Sequence, residues 1–370
     1  MTLGKIVDPL SRMSANGVGS TFGDNNSDIK IIHCSDDHQI IWDNFLDYQS
    51  DASFYHLYYW RAINKTNFGH KTYYLAATNN DSFIGIFPLV FLNSHIFGKI
   101  LCSLPFVNYG GPCCINEAVE SKLLQEAIDI AKDCNVDYLE LRTKKIVDNS
   151  LHTSTHKISM TLELDSDPDI IWNQFSSKHR TNIRRVYKNN INVTTGGIEY
   201  LDTFYDLLVE TWRDLGTPIY KKDYFYSILN SFPELTRIFI CSHKNNPIAA
   251  AFNGYYKNTV EGMWAAAPVR FRSLQPNYVM YWEMIKDACE RGFNKYHLGR
   301  STVDSGGEQF KKKWNAVQTQ LYWQYYLCRA SKIPQLNVQN KKYKTAIKIW
   351  RKLPISLTAY LGPILARSIP

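Results

Sequence analysis

Several things are missing from this chain of 370 residues, and each absence excludes something. No apolar run approaches the roughly 20 residues needed to cross a bilayer as a helix. The eight cysteines (34, 102, 113, 114, 134, 241, 289, 328) form no CxxC pair and sit mostly in apolar surroundings. That points to reduced, buried thiols in a cytoplasm rather than to disulfides or zinc. HTSTH places His152 and His156 four residues apart but supplies no third ligand in a Ser/Thr-rich stretch, so it does not make a metal site. No Ser/His/Asp arrangement is evident, which argues for direct chemistry without a covalent enzyme intermediate. Residues 1–28 are rich in Ser, Gly and Asn and lack an apolar signal core, so a disordered tail and no export are expected.

Acidic residues are absent from one region. Residues 331–370 hold six lysines and two arginines and no Asp or Glu. The formal charge of +8 is therefore a property of the C-terminus, and the other 330 residues carry 34 basic and 34 acidic groups. A neutral body argues against DNA binding. Within the tail, KKYKTAIKIWRKL (341–353) sets Tyr343, Ala346, Ile347, Trp350 and Leu353 on one helical face and its cations on the others. With the apolar ISLTAYLGPILA behind Pro354, residues 341–366 are expected to lie on an anionic membrane surface. The alternative is a helix packed on the body with its lysines in water.

What is present is a repeat. TYYLAATNNDSFIGIFPLVF (72–91) and TRIFICSHKNNPIAAAFNGYY (236–256) each join two apolar runs through a polar turn, the pattern of a hairpin. VESKLLQEAIDIAKDCNVDYLELR (119–142) and PNYVMYWEMIKDACERGFNKYHLGR (276–300) each follow an amphipathic helix with a short strand ending in arginine, Arg142 or Arg300. Helical patterns at 40–48 and 53–63, and at 201–214 and 222–230, precede the two hairpins. The order helix, helix, hairpin, helix, strand thus occurs twice. The fold expected is α/β (α+β): two mixed, mostly antiparallel sheets flanked by helices, with domains at 29–160 and 161–330 and a tail at 331–370.

Two segments concentrate charge. YHLGRSTVDSGGEQFKKKWNA (296–316) runs from an expected strand through a Gly/Ser loop to three lysines between Phe310 and Trp314. Such a loop presents cations to a reacting or phosphorylated ligand. SSKHRTNIRRVYKNN (176–190) begins with an N-cap serine and stacks Arg180, Arg184 and Lys188 at i, i+4, i+8, with Arg185 beside them. Like charges in a row repel, and an anionic ligand would relieve them; a solvated face is the plainer alternative.

The repeat, the KHRTNIRRVYK helix, the GRS loop and the FKKKWNA block together resemble the Fem family of peptidyl and aminoacyl transferases, over roughly residues 30–330. SLPFVNYGGP, GRST and the WRKLP…LGP tail are similar to Fem-like proteins of Gram-negative exopolysaccharide loci. The resemblance implies tandem GNAT-like acyltransferase domains. It implies transfer of an acyl or aminoacyl group, from acyl-CoA or aminoacyl-tRNA, to an amine of a lipid-linked, sugar or peptide precursor. No tightly bound cofactor is implied, the only nucleic-acid contact is a transient one with a tRNA acceptor end, and the location is cytoplasmic, peripheral at the inner face of the membrane. FKKKWNA resembles the family's FKKGYNA-type block, which assigns Lys311, or Lys312 in its place, to the acyl-transfer channel, stabilising the oxyanion.

Glu261 in TVEGMWAAA is the candidate acceptor of the amine proton, or a strand-edge carboxylate in water. Candidate substrate contacts are Asn108 and Tyr109 of VNYGGP, Arg300 and Ser301 of the GRS loop, and Arg180, Arg184 and Lys188. Two departures from the family stand out: Gly110 where an arginine precedes Gly-Pro, and His297 where relatives carry an acid. The expected donor turn, VRFRSLQPN (269–277), offers Arg270, Arg272, Ser273 and Asn277 but no glycine for close backbone approach to a pyrophosphate. The rival function from another class is a non-catalytic adaptor on the membrane surface.

Overall fold

The computed structural model describes residues 29–333 and 341–369. The tail expected at 1–28 lies outside them. Two polar turns close the two repeated hairpins. Asn80 and Asp81 in the first, and Lys244 and Asn245 in the second, all have positive φ, the two-residue turn whose twist matches that of paired strands.

The first sheet has eight strands. Seven come from the N-terminal part: β1 (Lys30–His33), β2 (Lys71–Asn79), β3 (Ser82–Ser94), β4 (Gly98–Cys102), β5 (Cys113–Cys114), β6 (Tyr138–Thr143) and β7 (His152–Ser154). The second sheet is built from β8 (Lys157–Glu163), β9 (Ile191–Gly196), β10 (Thr236–His243), β11 (Asn246–Tyr256), β12 (Thr259–Ala266), β13 (Lys295–Thr302) and β14 (Val317–Gln320). The last strand, β15 (Tyr322–Leu327), returns to the first sheet and enters between β6 and β7.

The two strand orders agree. The first runs β1-β2-β3-β4-β6-β15 and the second β9-β10-β11-β12-β13-β8. In both, a single parallel pair (β4 with β6, β12 with β13) follows a run of antiparallel ones. The duplication expected from the sequence is therefore present at the level of topology. Sheet membership, however, cuts across a division at 160/161: β8 begins before it but belongs to the second sheet, and β15 follows it but belongs to the first. The reason is that each unit takes its sixth strand from the segment that follows the other unit's fifth.

The helices are α1 (Gln39–Asp47), α2 (Trp60–Phe68), α3 (Glu117–Asp133), α4 (Pro168–Gln174), α5 (Ser177–Tyr187), α6 (Leu201–Leu215), α7 (Lys222–Ser231), α8 (Asn277–Glu290), α9 (Gly306–Lys312), α10 (Lys341–Trp350) and α11 (Ile355–Ala366). Their starts follow from local chemistry. Asn116 caps α3 by accepting from the Val119 amide, and Glu117 and Glu120 favour its N-terminal dipole. Apolar side chains form three clusters. One lies under α3 on the outer face of the first sheet, and one under α5 and α8 on the outer face of the second. The largest is shared between the sheets, with Trp42, Phe54 and Trp60 from one unit packed with Phe204, Phe225 and Phe252 from the other.

The basic tail packs on this body. Ile347 of α10 lies against Gly216, which ends α6, and the Trp350 side chain is buried. Arg351 Nη2 donates to the Leu215 carbonyl at 3.1 Å. The face expected to meet lipid is thus used inward, because α6 ends in a glycine that lets another helix approach closely. No helix among the described residues is long and apolar enough to cross a membrane.

Candidate active site

β12 and β13 pair as parallel neighbours only from Thr259–Glu261 and Lys295–His297, then part. From Gly262 to Ala266, β12 stays paired with β11 but has no partner on its other edge. A bulge on each strand, at Met263 in one and at Leu298–Gly299 in the other, drives the strands apart. Gly299 has φ +81°, and a Cβ there would stand 2.9 Å from the Gly262 carbonyl oxygen, so glycine is required where the strands begin to diverge. The fork holds a cavity of about 300 Å³.

The opposite wall comes from the first unit. Residues 101–111 are all buried, and Phe106, Val107 and Asn108 reach the cavity together with Tyr55. Asn108 Nδ2 donates to the Tyr55 hydroxyl at 2.8 Å, which fixes both. Tyr220, close after α6, and Trp212 within it complete this side.

Among the described residues no Asp or Glu lines the cavity, yet two cationic groups do, Arg300 and Lys311. Lys311 is 8% exposed, and its Nζ donates to the carbonyls of Gly299 at 2.8 Å and Arg300 at 3.1 Å. Burial, and then the Arg300 guanidinium, bring the Lys311 ammonium down to about 7. Burial and the nearby Arg142 bring Arg300 down to about 10. Lys157, donating to Thr302 Oγ1 at 2.7 Å, is lowered to about 8 by burial and by the same two arginines. A wall of cations with no counter-charge favours an anion or a developing oxyanion.

Lys311 is therefore the lysine that reaches the cavity. Lys312 points elsewhere: it is half exposed and ion-paired with Glu308 at 2.6 Å, so the stand-in role expected for it is not supported. The cause is α9, which turns successive side chains by about 100°.

Residues 177–312 match the model of the Acetyltransferase (GNAT) domain. FemX aligns over 81% of this chain and 98% of its own, at 15% identity and a TM-score of 0.60. L-PGS from Bacillus licheniformis aligns over 84% and 95%, at 12% identity and 0.51. A tandem GNAT protein from the clavulanic acid biosynthesis pathway aligns over 82% and 100%, at 10% identity and 0.54. No curated protein sequence matches. Residues 177–312 thus match a GNAT acetyltransferase domain, and the chain as a whole has the tandem GNAT fold seen in FemX.

A second cavity, of about 380 Å³, lies near the first. Ala265 and Lys311 border one, and their near neighbours Ala267 and Phe310 border the other. The segment Val269–Leu274 is a short 3-10 helix, and Gln275 (φ +54°) takes the left-handed turn that a glycine would otherwise supply. Of the four expected donor residues, Arg272 and Asn277 border this cavity, and Asn277 Oδ1 is buried without a hydrogen-bond partner. Arg270 does not: its Nε donates to Glu210 at 2.8 Å and its guanidinium lies over the Phe271 ring. Ser273 is exposed and borders neither cavity.

The other expected residues divide in the same way. Asn108 and Arg300 line the first cavity. Ser301 is buried beside Gly307 of α9 and does not reach it. Arg180, Arg184 and Lys188 do not line it either. Arg180 donates to the Asn173 carbonyl at 3.2 Å, Arg184 lies over the Trp172 ring, and Lys188 is exposed. Arg185 of the same helix donates to Gln275 Oε1 at 2.6 Å, which places α5 beside the second cavity. This stripe is set on the outer side because Ile183 and Val186 face the core beneath it.

Glu261 sits behind the cavity rather than in it. It is 1% exposed, accepts a hydrogen bond from the Tyr109 hydroxyl, and lies 3.1 Å from His297 Nδ1. The other ring nitrogen of His297 meets the Ser159 hydroxyl. Burial raises the Glu261 carboxyl, but His297, Lys144 and the Tyr109 hydrogen bond outweigh it and leave the group below its usual value. Ser159, His297 and Glu261 thus form a Ser-His-Glu array that sequence reading missed, since its members lie on three strands. None of the three lines either cavity.

Arg142, Lys157 and Trp323 were also missed as parts of one cluster. Arg142 and Arg300 approach the same Trp323 ring, at 4.4 and 5.2 Å. The matching arginines at the ends of the repeated strands were the visible signal. The return of β15 that brings Trp323 between them was not visible.

Proposed function

We propose that the protein is an N-acyltransferase that passes an acyl group from acyl-CoA, or an aminoacyl group from aminoacyl-tRNA, to an amine of a cell-envelope or polysaccharide precursor by direct attack. The observation that carries this reading is the buried wall of Arg300 and Lys311, without a carboxylate, in a fork of two strands. The free edge of β12 favours the coenzyme A donor, because its unpaired backbone groups can bond the amides of an extended pantetheine arm. The second cavity then takes the phosphorylated end, with Arg272, Asn277 and the basic face of α5 around it. A tRNA acceptor end would meet the same cations.

In this scheme the amine nitrogen attacks the carbonyl carbon, and the Lys311 ammonium faces the oxyanion that forms. The tetrahedral intermediate collapses by expelling the thiolate, or the ribose oxygen of a tRNA donor. The proton lost by the amine passes to water in the cavity, since neither Glu261 nor Tyr109 lines it. Location at the inner face of the membrane follows if the acceptor is lipid-linked.

The test is release of free thiol from acyl-CoA in the presence of amine acceptors, comparing wild type with Lys311→Met. The aliphatic stem still packs, and turnover is expected to fall by about 100-fold, the scale of one lost oxyanion donor. Equal turnover in the variant would remove the catalytic assignment. A wild type that transfers from no acyl-CoA or aminoacyl-tRNA would favour the adaptor.

A further inference from the structure

α11 has two faces. Thr358, Gly362 and Ala366 repeat every four residues and are buried. Gly362 meets Ile219 so closely that a Cβ would stand 2.7 Å from its Cγ2. The opposite face carries Leu357, Tyr360 and Ile364, of which Tyr360 is 73% and Ile364 57% exposed. Ile349 of α10 and Ile355 are also exposed. An apolar stripe at helical spacing that no described residue covers needs an occupant.

Its surroundings indicate which. Lys344, Lys348, Lys352 and Arg367 are exposed on the same two helices, and residues 331–370 contain no acidic residue. Apolar side chains whose own segment carries charges of positive sign only match the chemistry of an anionic bilayer surface, acyl chains beneath phosphate headgroups. A protein partner would ordinarily meet a rim of mixed sign. We infer that the protein docks on anionic membranes through the outer stripe of α11, with Leu357, Tyr360 and Ile364 in the interface and the α10 lysines on headgroups. This differs from docking through Ile347 and Trp350, which the body already holds.

The same helix stands one side-chain layer from the first cavity. His70 Nε2 bonds the Arg367 carbonyl at 2.8 Å and stacks on Phe106, which lines the cavity. Ile219, against Gly362, precedes Tyr220 of the cavity wall. Docking therefore holds the cavity near the lipid surface, and only this consequence rests on the function proposed above.

The test uses the full chain and sedimentation with phosphatidylcholine vesicles, with and without phosphatidylglycerol. Binding is expected only with phosphatidylglycerol, to weaken as salt rises, and to fall about tenfold or more in Tyr360→Asp/Ile364→Asp. Lys344→Gln/Lys348→Gln/Lys352→Gln, which alters only exposed side chains, should give a similar loss and keeps the test decisive if the first variant unfolds. Equal binding to both vesicles, binding unchanged in the variants, or a stripe buried in a dimer by sedimentation velocity would overturn the inference. Acyl transfer to a water-soluble amine should be unchanged in both variants. Loss of vesicle binding with that activity intact defeats the docking alone, and vesicle binding without any transferase activity defeats the function alone.

Discussion

The two units share one strand order but treat the fork after their parallel pair differently. In the first, β4 and β6 part beyond Cys102 and Glu140, and the chain fills the gap itself. Ser103 N donates to the Glu140 carbonyl at 2.9 Å, its hydroxyl accepts from Arg142 N, and Gly110 N donates to the Arg142 carbonyl at 2.8 Å. In the second, the fork is open. The arginines differ accordingly. Arg142 lies two residues past the last parallel pair, 1% exposed, with Glu140 at 2.7 Å. Arg300 lies three past it, the extra residue absorbed by the bulge, and its unit offers a histidine where Glu140 stands. One copy neutralised its fork and spent SLPFVNYGGP on a wall; the other kept an open fork and an unbalanced charge. A cation with no carboxylate partner among the described residues marks the copy with the open cavity.

The largest way to test this contrast is to remove each arginine. Arg142→Met leaves Glu140 as an uncompensated buried charge and should cost about 3–5 kcal/mol by chemical denaturation. Arg300→Met removes a charge that has no carboxylate to lose, so it should stay within about 1 kcal/mol of wild type while abolishing turnover. Similar losses of stability in both would erase the distinction between the forks.

Next in size are the glycines. A Cβ at Gly110 would come within 2.9 Å of Leu104 Cβ, inside the plugged fork, whereas Gly307 has nothing closer than 3.7 Å. Gly110→Ala should therefore lower stability by about 1–3 kcal/mol, and Gly307→Ala should change it by less than about 0.5 kcal/mol.

A subtler effect is pH dependence. Lys311 is about 7 in the folded chain against an ordinary 10.5, so the folded state disfavours its charge. Stability should rise with pH between those two values, where the unfolded chain holds the extra proton, and Lys311→Met should remove that slope. In kinetics the charged form lies below the transition, so kcat/KM should lose the lysine's contribution as pH passes upward through about 7. An alkaline rise would instead assign Lys311 as a base. The smallest effect expected is that of Arg185→Ala, which is exposed and bonds Gln275 of the second cavity: a rise in donor KM worth up to about 1 kcal/mol, with little change in kcat.

Much of this was legible because it is local. The hairpins announced themselves through their polar turns and α3 through its helical spacing, whereas the stretch read as a Gly/Ser loop holds α9. Lys311 and Arg300 were found from a charged loop at a strand end. What could not be read is what long-range pairing creates. Glu261, His297 and Ser159 lie on separate strands and meet only through register. Trp323 reaches the two arginines because β15 crosses back. Lys312 and Lys311 look alike in sequence, and only the phase of a two-turn helix separates them. For the tail, amphipathicity identified an apolar face but not which helix would bury it; Gly216 and Gly362 decided that.

The exchange of β8 and β15 bears on how the chain is made. During synthesis the first unit emerges with a vacancy beside β6 that its own following strand does not fill, and that vacancy persists until residues 322–327 arrive. Its exposed edge must then be guarded against other chains for most of translation. Neither half, cut out as a separate gene product, would carry a full set of strands. The present chain would descend from a doubled gene whose copies lost the freedom to separate once each borrowed a strand from the other.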